Sequence, residues 1–480
     1  MAKVSLLYGV GVQLFAVGLH ASIFMLILWN NSRVSPTVRE AAMRQDLPLA
    51  RFSSARAMHH VRAIDAFGPR PVGTYPNEVQ APQYLFRAVQ GAVENAFPDA
   101  VVETRQSFAG SEHVDFAWPV RTPQAGSYNI KIEVERQMAT GDFEIGFLGG
   151  VVLSYSNISN VLVRVSWQKE DQGARDDADY LLISSHYDTQ PGTVATADCT
   201  AHIASMIELF QNIIAGPPQE MGIVFNFNGA EETFLMGAHA FLSHPWAENI
   251  RAFLNLESVG TGGPLLMFQV SPKASWLLEA YARAVSHPFG SAIGQEIFDA
   301  GLINSETDYL VYHKLGGYSG MDFAWIHSGQ FYHTTRDSLD NFEPHTIQQA
   351  GSNTLALVTE ICQAWAHQRG QEASSDPTPS SKLVFFDLFN LKLIYYAFPT
   401  HQKVSLAILT LLAVHTTYIE GVPLLRSARA ALCHFMGLLC SIVLNACISS
   451  FIAYGLQSTL SWYSMPSRLL ALYAAPALLA

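Results

Sequence analysis

Residues 180–200, YLLISSHYDTQPGTVATADCT, constrain this chain more than any other stretch. The apolar opening over 180–183 has the length of a strand buried on both faces. It ends in His186-Tyr-Asp188, and Asp198 follows twelve residues after His186. Beyond it, Ile203, Met206, Ile207, Phe210 and Ile214 recur at the spacing of one helix face. An imidazole thus stands at the C-terminal tip of a strand and a carboxylate at the mouth of a helix. Open α/β sheets bind ligands and cofactors there. By itself a His-x-Asp at a strand end is as readily a pair of ordinary polar residues. What recurs downstream decides the matter.

Two further apolar runs repeat the pattern. Residues 222–228 (GIVFNFN) read as a buried strand ending in Gly229-Ala-Glu231-Glu232, and helix-like residues 233–244 follow. Residues 251–256 read as a third strand ending in Glu257, before the Gly-rich 260–263. A short apolar stretch, 329–332, delivers His333-Thr-Thr-Arg-Asp337. Helical spacing marks 54–64, 80–97, 275–286 and 347–367, and β-branched alternation marks strands at 101–107, 128–136 and 158–167. Gly68-Pro-Arg-Pro-Val-Gly breaks the first helix.

The ends of the chain are different in kind. Only 14% of residues are charged and 49% are apolar, and the apolar ones cluster at the termini. Residues 4–29 are long enough to cross a bilayer, which takes roughly 20 residues, and end in Trp29-Asn30, an interfacial signature rather than a signal-peptide cleavage site. The expected organisation is an anchor over 1–32, a globular domain over 33–370, a Ser- and Pro-rich linker over 371–383 and a membrane region over 384–480. In that region 384–398 reads as an interfacial amphipathic segment, 404–425 and 430–456 as spans, and a truncated span starts near 466. Arg426 and Arg429 put the loop between the first two spans in the cytoplasm, so the globular domain lies on the other side. Asn157-Ile-Ser159 is then a glycosylation acceptor.

A net charge of −12 argues against a nucleic-acid partner. Five cysteines without a Cys-x-x-Cys argue against a disulfide framework or a thiolate zinc site. Cys433, Cys440 and Cys447 recur every seven residues, as small residues packed between helices do. A metal must therefore use His and carboxylate ligands. Three strand tips bearing His186, Glu231/Glu232 and Glu257, with Asp198 and His333 arriving from loops, suit a pair of zinc ions. A shared carboxylate lets two cations sit about 3.5–4 Å apart, lower the pKa of a bound water and polarise a carbonyl. Of the adjacent Glu231 and Glu232, one can bind metal while the other stays free as general base. Asp188 can hold the His186 ring from behind.

His186-x-Asp188, Asp198, Glu231-Glu232, Glu257 and Tyr332-His333-Thr-x-x-Asp337 resemble the ordered motif series of the co-catalytic di-zinc exopeptidases, the aminopeptidase Y and glutamate carboxypeptidase group. The likeness runs from about residue 54 to 367. Gly68-Pro-Arg-Pro-Val-Gly, Asn157-Ile-Ser-Asn-Val, Asn255-Leu-Glu and Gly320-Met-Asp-Phe-Ala add to it. Val384-Phe-Phe-Asp-Leu and Ser461-Trp-Tyr-Ser-x-Pro are similar to the endoplasmic reticulum metallopeptidase (Felix-ina) branch. The resemblance implies a three-layer αβα domain with a mixed, mostly parallel sheet, flanked by transmembrane helices. It implies one zinc on His186 and Glu257, a second on Glu232 and His333, and Asp198 bridging. It implies Glu231 as general base, Asp188 as its helper behind His186, and peptides or small proteins as substrates at the lumenal side of the endoplasmic reticulum membrane. The sequence departs from the group at two places: Cys199 stands where a second Asp is usual, and Ala195-Thr-Ala replaces a Gly-rich approach. Glu257 stands where many soluble relatives have Asp. The competing readings are an inert membrane scaffold on this fold and a one-zinc acyl transferase of glutaminyl-cyclase type.

Overall fold

The computed structural model describes residues 44, 46–98, 113–122, 126–146, 149–169, 179–272, 274–303, 305–372, 382–419 and 421–457. The expected N-terminal anchor, the strand at 101–107 and the span from 466 lie outside them. The chain divides into two compact units, one over 1–327 and 331–395, the other over 328–330 and 396–480.

The first unit is built on an eight-stranded sheet: β1 (His113–Thr122), β2 (Gly126–Ile145), β3 (Val151–Lys169), β4 (Tyr180–His186), β5 (Gly222–Asn228), β6 (Ile250–Ser258), β7 (Leu266–Val270) and β8 (Ser319–Trp325), in the order β1-β2-β3-β5-β4-β6-β8-β7. The sheet is mixed, as expected, but its parallel part is confined to the centre. β5, β4, β6 and β8 run parallel. The long β1–β2–β3 meander and β7 pair antiparallel at the two edges. Only the central strands alternate with helices, and a parallel pairing requires such a crossover.

β4 and β5 are buried along their whole length. Their side chains alternate between two cores, as the period of a strand demands. Leu181, Ile183, Ile223, Phe225, Ala252 and Leu254 face one core. Helices α1 (Ser54–Asp65), α2 (Ala81–Ala96), α3 (Ala201–Ile214), α5 (Ser275–Ala284) and α7 (Pro344–Glu372) close it. Leu182, Val224 and Phe253 face the other core, closed by α4 (Met236–Leu242) and the helical turns Asp308–Leu310 and Val311–Leu315. Both faces of the sheet are thus covered, the three-layer arrangement. Each fully buried side chain of this size contributes about 1.5–3 kcal/mol. Helix α6 (Ala292–Asp299) completes the series at the β7 edge.

Residues 384–398, expected as an interfacial segment, instead form a hairpin, β9 (Leu383–Leu388) and β10 (Lys392–Ala397). Phe385 and Leu393 are buried in the first core, and Phe386 bridges to Ser291. Phe385 and Leu393 turn inward while Phe386 and Leu391 stay exposed, so the segment packs on the sheet domain through one face of a paired hairpin. The globular unit therefore extends past the linker to Tyr395.

In the second unit α8 (Phe398–Val414) continues through the turn His415–Ile419, and α9 (Leu424–Ser450) starts behind Pro423. Among the described residues one helix, Leu425–Gly455, is long and apolar enough to cross a membrane, with mean hydropathy 2.1 over its best window. Cys433, Cys440 and Cys447 are exposed along it.

Candidate active site and metal centre

Three of the parallel strands deliver four site residues to one sheet edge. His186 ends β4 and Glu257 lies near the end of β6. Glu231 and Glu232 follow β5 after a turn that only Gly229 permits. A Cβ there would lie 2.2 Å from the Ser159 carbonyl oxygen and 2.3 Å from the Tyr187 hydroxyl. Asp198 arrives in the kinked turn before α3, where the Asp198–Cys199 peptide is cis. His333 arrives from the loop ahead of α7, its ring stacked on Tyr332 at 3.7 Å.

All six converge. His186 Nε2 lies 3.3 Å from Glu257 Oε1, 3.5 Å from Asp198 Oδ1 and 3.9 Å from Glu231 Oε2. His333 Nε2 lies 3.2 Å from both Asp198 Oδ2 and Glu232 Oε2. Two groups of possible ligands result, one of His186, Asp198, Cys199 and Glu257, the other of Asp198, Glu232 and His333. They share Asp198, which turns one carboxylate oxygen to each. Asp188 sits behind His186, with Oδ1 3.4 Å from Nδ1 and its carbonyl oxygen 3.1 Å away. A proton on Nδ1 leaves Nε2 free to ligate.

The charges in this pocket shift one another. Burial opposes ionisation of Asp198, yet hydrogen bonds from His186 and His333 hold its pKa at about 2. Burial likewise opposes charge on His333, but hydrogen bonds to Asp198 and Glu232 hold it up at about 10. On His186 burial is outweighed by Cys199, Glu257 and Glu231, which keep the pKa well above that of a free imidazole. Burial raises Glu231 far above the usual carboxylate range; His186 opposes the rise and Glu257 and Asp308 add to it. Burial and Asp198 raise Glu232.

Asp188 and several residues to which the sequence assigned no role hold this constellation. The Asp188 carboxylate accepts from the backbone N–H groups of Glu231 and Glu232, both at 3.0 Å, so it positions the acidic pair as well as His186. Gln190 donates its backbone and side-chain N–H to Glu232. Asp337 accepts from the N–H groups of Ala197 and Asp198 at 2.9 and 3.2 Å. Arg70, fully buried, donates to the carbonyls of Gly68, Tyr187 and Val194 and to the Thr200 hydroxyl, stapling the His186 loop to the Asp198 loop. Asn228 holds Asp308, whose pKa burial pushes up to about 7. The His333-x-x-x-Asp337 spacing and the Arg of Gly-Pro-Arg70 were the available signals. Gln190 and Asp308 carried none.

The donor set fits zinc. Two imidazoles, three carboxylates and a thiol bring their ligand atoms together in two groups around Asp198. The family model of peptidase family M28 matches residues 160–358, which hold His186, Asp188, Asp198, Glu231, Glu232, Glu257 and His333. The chain carries a peptidase family M28 domain. It is 33% identical over 427 residues to endoplasmic reticulum metallopeptidase 1 of Mus musculus, covering 86% of this chain and 42% of that protein. It is 36% identical over 217 residues to the vacuolar membrane protease of Yarrowia lipolytica, covering 44% of this chain and 21% of that one. The chain thus spans less than half the length of these curated relatives. A zinc aminopeptidase structure from Bacillus subtilis matches 66% of this chain and 96% of its own, at 15% identity and a TM-score of 0.43.

Proposed function

We propose that this chain is a membrane-anchored, zinc-dependent exopeptidase of aminopeptidase type that holds two zinc ions. The observation that carries the reading is the pair of ligand groups joined by Asp198, with Glu231 beside them and outside both. His186, Glu257 and Asp198 would hold one ion, and Asp198, Glu232 and His333 the other. Zinc supplies Lewis acidity there, polarising a peptide carbonyl and making water acidic enough to attack near neutral pH. Glu231 takes the proton of the attacking water and returns it to the leaving amine. Its burial and its acidic neighbours make it a strong proton acceptor. Asp188 keeps His186 in the ligating tautomer and fixes the Glu231-Glu232 backbone.

The substrate is a peptide or small protein approached by one end. The domain organisation expected from the sequence, with the globular unit continued to the hairpin, places this unit on the lumenal side of a multi-pass endoplasmic reticulum protein. The names of the relatives, endoplasmic reticulum metallopeptidase and vacuolar membrane protease, support an endomembrane location. A second reading, a peptidase fold without turnover, is favoured by Cys199, whose Sγ donates to Glu257 at 3.0 Å. Elemental analysis together with a panel of aminoacyl and peptide substrates tests both. Two zinc ions and chelator-sensitive hydrolysis are expected. Two ions with no turnover on any substrate would sustain the inert scaffold, and one ion would sustain the acyl-transferase alternative.

A further inference from the structure

The two ligand groups around Asp198 differ in number. Three residues face the His333 side, and four face the His186 side, because Cys199 points its sulfur into the pocket. A zinc ion bound tetrahedrally by nitrogen and oxygen at about 2.0–2.1 Å and sulfur at about 2.3 Å sets its ligand atoms roughly 3.3–3.5 Å apart. The two edges that His186 makes match that figure, and the two that Cys199 makes bracket it. His186 Nε2 stands 3.3 Å from Glu257 Oε1 and 3.5 Å from Asp198 Oδ1. Cys199 Sγ stands 3.0 Å from the same Glu257 oxygen and 3.6 Å from the same Asp198 oxygen. These four residues each offer one ligand atom, all within 4.8 Å of one another, a spacing that one ion can span. The residues are buried: His186 is 1% exposed, Asp198 2%, Cys199 0% and Glu257 6%. The other Asp198 oxygen, Oδ2, faces the second group, 3.2 Å from His333 Nε2.

From this geometry we infer that the Cys199 sulfur is a fourth protein ligand to the ion on the His186 side, so that this ion is held in a closed His-Asp-Cys-Glu site. The inference rests on the reading of the pocket as a zinc centre. Closed four-ligand sites are structural in character, whereas catalytic zinc keeps a position open. The open position then belongs to the His333 side, where Asp198, Glu232 and His333 are the only protein ligands among the described residues. Ligation releases the thiol proton to solvent and replaces the Cys199 contact to Glu257 by a metal–sulfur bond.

X-ray absorption on the zinc-loaded full chain tests this, with zinc content measured in parallel. The expected result is a sulfur shell at about 2.3 Å from zinc that is absent from both Cys199→Ser and Cys199→Ala. The same variants should lose the sulfur-to-metal charge-transfer absorption that the cobalt-loaded wild type shows in the near ultraviolet. Two zinc ions per chain with nitrogen and oxygen shells only would overturn the inference and leave the peptidase reading standing. A sulfur shell that persists in both variants overturns it as well. No stoichiometric zinc in the wild type would remove the metal centre altogether, and the inference with it.

Discussion

Glu231 and Glu232 are adjacent carboxylates with opposite fates, and the difference lies in what each side chain meets. Glu232 is anchored by Gln190 and faces His333. Glu231 faces His186 at 3.9 Å and stays outside both ligand groups. Glu231→Gln should lower peptide turnover about 10²–10⁴-fold with zinc content unchanged, as expected for a lost general base. Full turnover in that variant would remove Glu231 from the role. Asp337 acts one step away, through the amides of Ala197 and Asp198. Asp337→Ala should weaken zinc binding about 10–100-fold, read by chelator competition. Proton linkage gives a third test. In the metal-free pocket His333 keeps its proton up to about pH 10, and zinc requires the neutral ring. Zinc binding at pH 7 should therefore release protons, and its affinity should rise with pH across the neutral range. Calorimetry in buffers of different ionisation enthalpy measures the release, and a value of zero would contradict the assignment.

At the scale of elements, the short motifs outside the ligand set turn out to be scaffolding. Asn160, on β3, donates to the Gly237 carbonyl and accepts from the Gly229 N–H, which pins the turn carrying the acidic pair. Asn255 on β6 donates to Asp322 on β8, tying together the strands beside Glu257. Arg70 does the same for two loops. Each of these residues was visible in the sequence as part of a motif, but its partner was not, because the partners lie 67 to 130 positions away. The β9–β10 hairpin shows the same limit. Its apolar character was legible, but not that Phe385 and Leu393 complete the core of the sheet domain. Phe385→Ala should cost about 3–5 kcal/mol and lower the denaturation midpoint of the globular unit as a single transition. A change confined to membrane binding would instead return the hairpin to an interfacial role.

For the whole molecule, Asn157 is exposed on the globular unit, so a lumenal domain should carry a glycan there. Asn157→Gln should abolish a shift in mobility on endoglycosidase treatment of the membrane-bound protein, and absence of any shift in the wild type would count against lumenal orientation. The strands β4, β5 and β6, the acids and the imidazole at their tips and the apolar run over 430–456 were determined by the sequence itself. Local periodicity and strand length dictate them, and a strand of period two buried on both faces has few ways to end. The antiparallel meander that widens the sheet, the hairpin that seals its core, and the meeting of Cys199 with His186, Asp198 and Glu257 were decided only in the tertiary structure. They depend on which distant segments pack together, and a carboxylate or thiol acquires its ligand geometry from neighbours that no stretch of local sequence contains.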